Sequence, residues 1–182
     1  MTIIRTKVHF VENNMTSEVE EKLDAPENSV NFRFLAEPTD VNFGGKVHGG
    51  MVMKWIDQAS YACAAQWSKR YCVTVSANGI RFIRPILVGQ LITVTARIVH
   101  TGKTSMHIYV VVRAADPKET KAVVTNRCFI TFMAIDESGY SVKVPTYVPV
   151  TEEDDLLEQA AVQAKDFAKK LDLNFEQALG WK

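Results

Sequence analysis

Hydrophobic and polar positions change period three times along the chain. From Gly50 to Trp67 apolar residues (Met51, Val52, Met53, Trp55, Ile56, Ala59, Ala62, Cys63, Ala64 and Ala65) fall on nearly every side of a helical wheel, broken by Lys54, Asp57, Gln58 and Ser60. A helix apolar on most sides is a buried helix, and the glycines before it mark its start. From Cys72 to about Asp136 the pattern becomes β-branched and alternating. YCVTVSANGIRFIRPI, GQLITVTARIVH, SMHIYVVVRAA and KAVVTNRCFITFMAI are separated by Pro85 and Gly89, by Thr101-Gly102 and by DPKET. Four strands with hairpin-length connections predict a highly curved antiparallel sheet, and one buried helix against it makes an α+β layer design.

A second helical period appears between Thr151 and Leu173, where Leu156, Leu157, Ala160, Ala164, Phe167, Ala168 and Leu171 recur every three or four residues. Thr151 and Asp154 resemble a capping box, Glu152, Glu153, Asp154 and Asp155 sit at the positive end of the dipole, and Lys169 and Lys170 lie near the other end. This is an amphipathic helix that can pack on its own subunit or on a neighbour. Residues 1–28 are polar and mixed, ending in turn chemistry at Pro26 and Asn28. The expected organisation is a lead-in over 1–28, one domain over 29–150 and a helical tail over 151–182.

Composition narrows the class. Of 182 residues 47% are hydrophobic and 23% charged, a globular profile. Lys plus Arg equals Asp plus Glu at 21 each, so net charge makes no case for nucleic acid or an anionic membrane surface. Neither a signal-peptide core nor an apolar run long enough to span a membrane is legible, which predicts a cytoplasmic location. Cys63, Cys72 and Cys128 are an odd set without CxxC spacing and read as buried free thiols.

Chemistry concentrates in NFGGKVHGGMVMKWID, residues 42–57. A phosphate loop is excluded, because Gly50 and Met51 stand where Lys and Ser/Thr must follow the second glycine. Gly102-Lys103-Thr104 fails too, since Arg97 replaces the first glycine in a turn between strands. No serine is framed as GxSxG. His9, His48, His100 and His107 are scattered without helical spacing, so no metal site is expected. What remains is a helix N-terminus with two glycines, Gly49 and Gly50, where free amides and the macrodipole can meet a developing oxyanion and a substrate can approach the backbone. Asp57 follows about two turns later on an otherwise apolar segment. A carboxylate there must be paired, hydrogen-bonded or open to a pocket. It serves either catalysis or an ion pair with a neighbouring loop or Arg.

N-x-x-G-x-V-H-G-G, a helix carrying K-x-x-D, then V-T-V-S, R-F-x-R-P-I-x-V-G and T-G-K-T-S-M resemble the acyl-CoA thioesterases of the hot-dog fold, in the YciA-like branch that includes brain acyl-CoA hydrolase. The resemblance runs from about residue 36 to 148. It implies a long central helix wrapped by a curved sheet, a homodimer with the site at its interface, and dimers gathered into a trimer. It further implies Asp57 as general base or nucleophile on the thioester, Asn42 contributed by the facing subunit, and backbone amides at Gly49 and Gly50 on the thioester oxygen. Coenzyme A is then part of substrate and product, and no other cofactor is required. Hot-dog dehydratases use a loop His with a helix carboxylate; here Asn42, fifteen positions before Asp57, occupies that place and cannot titrate. His48, nine positions before Asp57, reads as an orienting or packing residue of the turn.

Cations and donors near the nucleotide phosphates are expected at Arg84, Lys103, Thr104 and Ser105, with Ser76 beside the site; each is otherwise a solvated turn or surface position. Acyl length would follow from how Trp55, Tyr61 and Phe82 shape the tunnel. The competing expectation is a hot-dog module that binds acyl-CoA without turnover. Asp57 and Asn42 argue against it, as does the lack of a helix-turn-helix segment. Nucleotide regulation is open.

Overall fold

The computed structural model describes residues 28–180, so the lead-in expected over 1–28 lies outside them but for Asn28. Five strands form one antiparallel sheet: β1 (Ser29–Leu35), β2 (Tyr71–Phe82), β3 (Leu91–Thr101), β4 (Ser105–Ala115) and β5 (Val123–Ile135), in the order β1-β3-β4-β5-β2. The first helix, α1 (Gly49–Ser68), lies against the inner face, and α2 (Glu152–Leu179) crosses the outer face.

Two expectations change. Strand β1 extends the predicted set of four: Val30, Phe32 and Phe34 alternate with polar or exposed neighbours and pack on the core. The connection from β2 to β3 also has hairpin length without making a hairpin, since β2 pairs with β5 while β3 lies between β1 and β4. Residues 83–90 instead cross the end of α1. Ile83 and Arg84 donate to the Thr125 carbonyl, Val47 donates to that of Ile86, and Gly89, at φ +79°, donates to the Ala36 carbonyl while the Ala36 N–H donates to that of Gln90. A helix that must be wrapped on its sides keeps β2 and β3 apart.

Ile92, Val94, Ala96 and Ile98 of β3, Ile108, Val110 and Val112 of β4, and Ile130 and Phe132 of β5 point inward onto Val52, Ile56, Ala59 and Cys63 of α1. Each is nearly solvent-free, so area burial is the main source of stability. All three cysteines are buried and free. Burial pushes the Cys63 and Cys128 thiols up to about 12, which leaves them unreactive.

The second helix docks on its own sheet through its first turns, which resolves the choice the sequence left open for that half. Thr151 accepts from the Asp154 N–H at 3.2 Å, and Asp154 accepts from the Thr151 N–H at 2.9 Å, the reciprocal box expected from their spacing. The Asp154 carboxylate is buried and also receives the Tyr147 hydroxyl at 2.8 Å and the Arg97 guanidinium of β3. Further along, Glu158 meets His100 at 2.8 Å. Beyond Lys169 the helix is exposed, and Leu171, Leu173, Phe175 and Leu179 face solvent. No helix among the described residues is long and apolar enough to cross a membrane.

His107, on the outer face of β4, is buried beneath α2 and bonded through Nδ1 to the Thr131 hydroxyl at 3.0 Å. Burial, then the nearby His100 and Lys165, push its imidazolium down to about 4. An unfolded His takes up a proton near pH 6.5, and the folded one does not until about 4. Between those values the unfolded state binds more protons, so stability falls as pH falls through that window. We expect an acid loss on the order of 2 kcal/mol between pH 6.5 and 4, measured by urea melts, and a flatter limb over that window in His107→Gln.

Candidate active site

A short loop sets the start of α1. After the 3-10 turn Pro38–Asp40, Val41 bridges Val47 antiparallel, and the Asn42 N–H donates to the Lys46 carbonyl at 2.7 Å. At the tip the Asn42 side-chain oxygen accepts from the Gly44 and Lys46 amides at 2.8 and 3.3 Å. Gly45, at φ +70°, closes the turn in a conformation that favours glycine. The Asn42 carboxamide is thereby held by its oxygen on an exposed residue, and Phe43 beside it is fully exposed.

His48 is the N-cap of α1: its Nδ1 accepts from the Gly50 N–H at 2.9 Å, so a neutral ring carries its proton on Nε2. This corrects the expected pair of free amides. The Gly50 N–H is committed to His48, while the Gly49 N–H meets no acceptor among the described residues. A Cβ at Gly50 would lie 3.1 Å from His48 Nδ1, so the glycine lets the ring close on the helix end. Gly49 lines a cavity of about 310 Å³ together with Asn42, Val52, Phe82, Arg84 and Asn126 among others.

Asp57 does not border that cavity. It sits half-buried on α1, and the Thr74 hydroxyl of β2 donates to its Oδ1 at 2.7 Å. The pairing depends on a bulge. Thr74 is opposite Phe132 and shares the inner face with α1, but the register shifts between Thr74 and Ser76 and places Ser76 opposite Thr131. Thr74 was not singled out from sequence; the alternation of YCVTVS holds it as one of several polar strand positions. Exposed on the edge strand, it can be altered without cost to the core. Thr74→Val is expected to lower about tenfold any reaction that Asp57 carries, through loss of a hydrogen bond to a charged group, read in steady-state kinetics beside an unchanged melting temperature.

The other expected ligand groups fall in separate places. Arg84 borders the Gly49 cavity and donates to the Val124 carbonyl at 3.3 Å. Lys103 and Thr104 form the β3–β4 tip, where their carbonyls accept from Val144 and Ala134. Ser76 and Ser105 line a groove of about 1090 Å³ on the outer face, together with His107, Thr131 and α2, across the sheet from α1. The structure therefore gathers Asn42, Gly49 and Arg84 at one cavity, sets Asp57 and Thr74 at a second place, and leaves Ser76 and Ser105 with neither.

A carboxylate fixed by a hydroxyl, and a free amide at a helix start beside a cavity of mixed polar and apolar lining, are the parts a thioester hydrolase needs. The profile of the thioesterase superfamily matches residues 44–121. Among curated proteins the chain is similar to the protein VdlD of Helicobacter pylori, 33% identical over 133 residues that cover 73% of this chain and 76% of that one. It is also similar to the human cytosolic acyl coenzyme A thioester hydrolase, 36% identical over 66% of this chain but only 32% of that longer protein. Among solved structures an apo hexameric acyl-CoA thioesterase superposes with a TM-score of 0.77 at 30% identity, covering 81% of this chain and 95% of that one. Site geometry, matched length and shared architecture agree: the chain belongs to the thioesterase superfamily and has its hot-dog fold.

Proposed function

We propose that the protein is an acyl-CoA thioesterase, hydrolysing the thioester of fatty acyl-CoA to free acid and coenzyme A, and that two subunits complete each site. The observation that carries this reading is the division just described: Asp57 with Thr74 in one place, Asn42 with the Gly49 amide in another. In a homodimer the first set of one subunit faces the second set of its partner. Support comes from β2, a twelve-residue edge strand with unpaired backbone on its outer side, and from Phe43, exposed at the tip beside Asn42. An open edge of that length and an apolar tip both favour cover by a second copy. Similar solved thioesterases are hexameric, which supports three such dimers here.

With Thr74 on Oδ1, Asp57 keeps Oδ2 free to take a proton from water. The water oxygen bonds to the thioester carbon while the carbonyl π pair moves onto oxygen, held by the Gly49 N–H. Collapse breaks the C–S bond and expels the coenzyme thiolate, which recovers the proton from Asp57. A thiolate leaves readily, so one carboxylate suffices. The Asn42 amide orients the water or carbonyl from the partner, and His48 fixes the helix end. Arg84, with Lys103 and Thr104 at the hairpin tip, supplies donors for the nucleotide phosphates. No cofactor takes part, the reaction is expected in the cytoplasm, and a nucleotide regulator is a separate question.

Coenzyme A release, followed with a thiol reagent across acetyl- to palmitoyl-CoA and benzoyl-CoA, tests the reading. Turnover on any chain length supports it and names the acyl preference. Binding of acyl-CoA with no thiol release on any member overturns it in favour of a sensing module.

A further inference from the structure

Asn126 lies near the start of β5 on the inner face, in register between Phe82 of β2 and Val112 of β4. It is 1% exposed, and neither its Nδ2 nor its Oδ1 has a hydrogen-bond partner. Buried carboxamides are almost always paired, because dehydrating an amide without replacing its hydrogen bonds costs stability. With apolar side chains as its strand neighbours, a partner must come from elsewhere. Asn126 and Gly49 line the same cavity.

The other polar groups of that wall are already committed or solvated. Asn42 spends its oxygen on the Gly44 and Lys46 amides, Arg84 donates to the Val124 carbonyl, and Lys46 is exposed. The Gly50 N–H, which would make a donor pair with Gly49, is held by His48. Stabilising an oxyanion takes convergent donors fixed in advance in a place sheltered from water. Among the lining residues that leaves Gly49, whose N–H is unpaired, and Asn126, whose carboxamide is buried and unpaired.

We infer that Asn126 is the second oxyanion donor, its Nδ2–H meeting the thioester carbonyl oxygen together with the Gly49 N–H. This rests on the hydrolytic reading proposed above. The unpaired amide is then a stability cost carried for catalysis, filled when substrate binds.

Asn126→Leu and Asn126→Ala test this, with thiol release and thermal melting measured on both beside wild type and Asp57→Asn. Removing one oxyanion donor lowers kcat about a hundredfold and leaves KM within about threefold, since the lost bond strengthens only as charge develops. Asn126→Leu is expected to melt at or above the wild-type temperature, by up to about 4 °C, because it removes an unsatisfied buried polar group. A merely structural amide would show the reverse, a lower melting temperature with kcat kept. If wild type turns over, Asp57→Asn does not, and the Asn126 variants keep kcat within threefold, this inference fails alone. A kcat loss only in variants that melt well below wild type also overturns it. If wild type releases no thiol, the hydrolytic reading fails and this inference with it. Asn126→Ala keeps the test open should the larger Leu not fold.

Discussion

Replacing Asp57 by Asn is expected to lower kcat for acyl-CoA hydrolysis at least a hundredfold, about what a general base supplies, with little change in melting temperature. The carboxylate is half-buried on a helix whose core positions are largely apolar, so it adds little to the packing that stabilises α1. Its bond to Thr74 survives in Asn, whose side-chain oxygen still accepts at the Oδ1 position. Geometry is thereby kept while the proton acceptor is lost. In a single turnover in water labelled with heavy oxygen, a base leaves the label in the product acid alone, and label found in Asp57 shows that the carboxylate formed an anhydride opened at its own carbonyl. An Asp57→Asn protein that turns over within tenfold of wild type sinks both roles.

Much of this was legible because period reports burial. The helix Gly49–Ser68 and strands β3, β4 and β5 lie within a residue or two of where their patterns put them. The tail helix was legible in its cap and runs six residues past Leu173, where exposure makes the apolar spacing uninformative. Strand pairing was not legible, because an eight-residue connection has the same length whether it turns back as a hairpin or crosses the end of a helix. Site residues divide the same way. Asp57 stands out as a charge in an apolar run, and Gly49 as a glycine at a helix start. Thr74 and Asn126 do not stand out, since polar residues on strands are common and their meaning comes from a bulge and a register. That bulge is also why Ser76, two residues from Thr74, reaches the outer face.

Asp154→Ala is expected to destabilise the fold by about 3 kcal/mol, the scale for breaking a buried charge pair by removing one partner, seen as a lower urea midpoint. The carboxylate joins three parts of the chain: Arg97 of β3, the Tyr147 hydroxyl, and the amides of Val150 and Thr151 at the start of α2. Without it the Arg97 charge loses its buried partner and the helix loses its box. Burial alone would raise this carboxyl, but hydrogen bonds from Thr151, Tyr147 and Val150 outweigh it and hold the group well below the ordinary carboxylate range. A depressed folded value means that the unfolded state takes up the proton first as pH falls. The stabilisation is therefore full above about pH 4 and is lost below it, as the solution approaches the folded value. This window is distinct from that of His107, which lies between 6.5 and about 4. Asp154→Ala should flatten the acid limb below pH 4 and leave the limb above it, and His107→Gln should do the opposite. If Asp154→Ala melts within 1 kcal/mol of wild type at pH 7, the carboxylate is not what holds α2 to the sheet, and the contacts of Ala161 and His100–Glu158 must carry that docking.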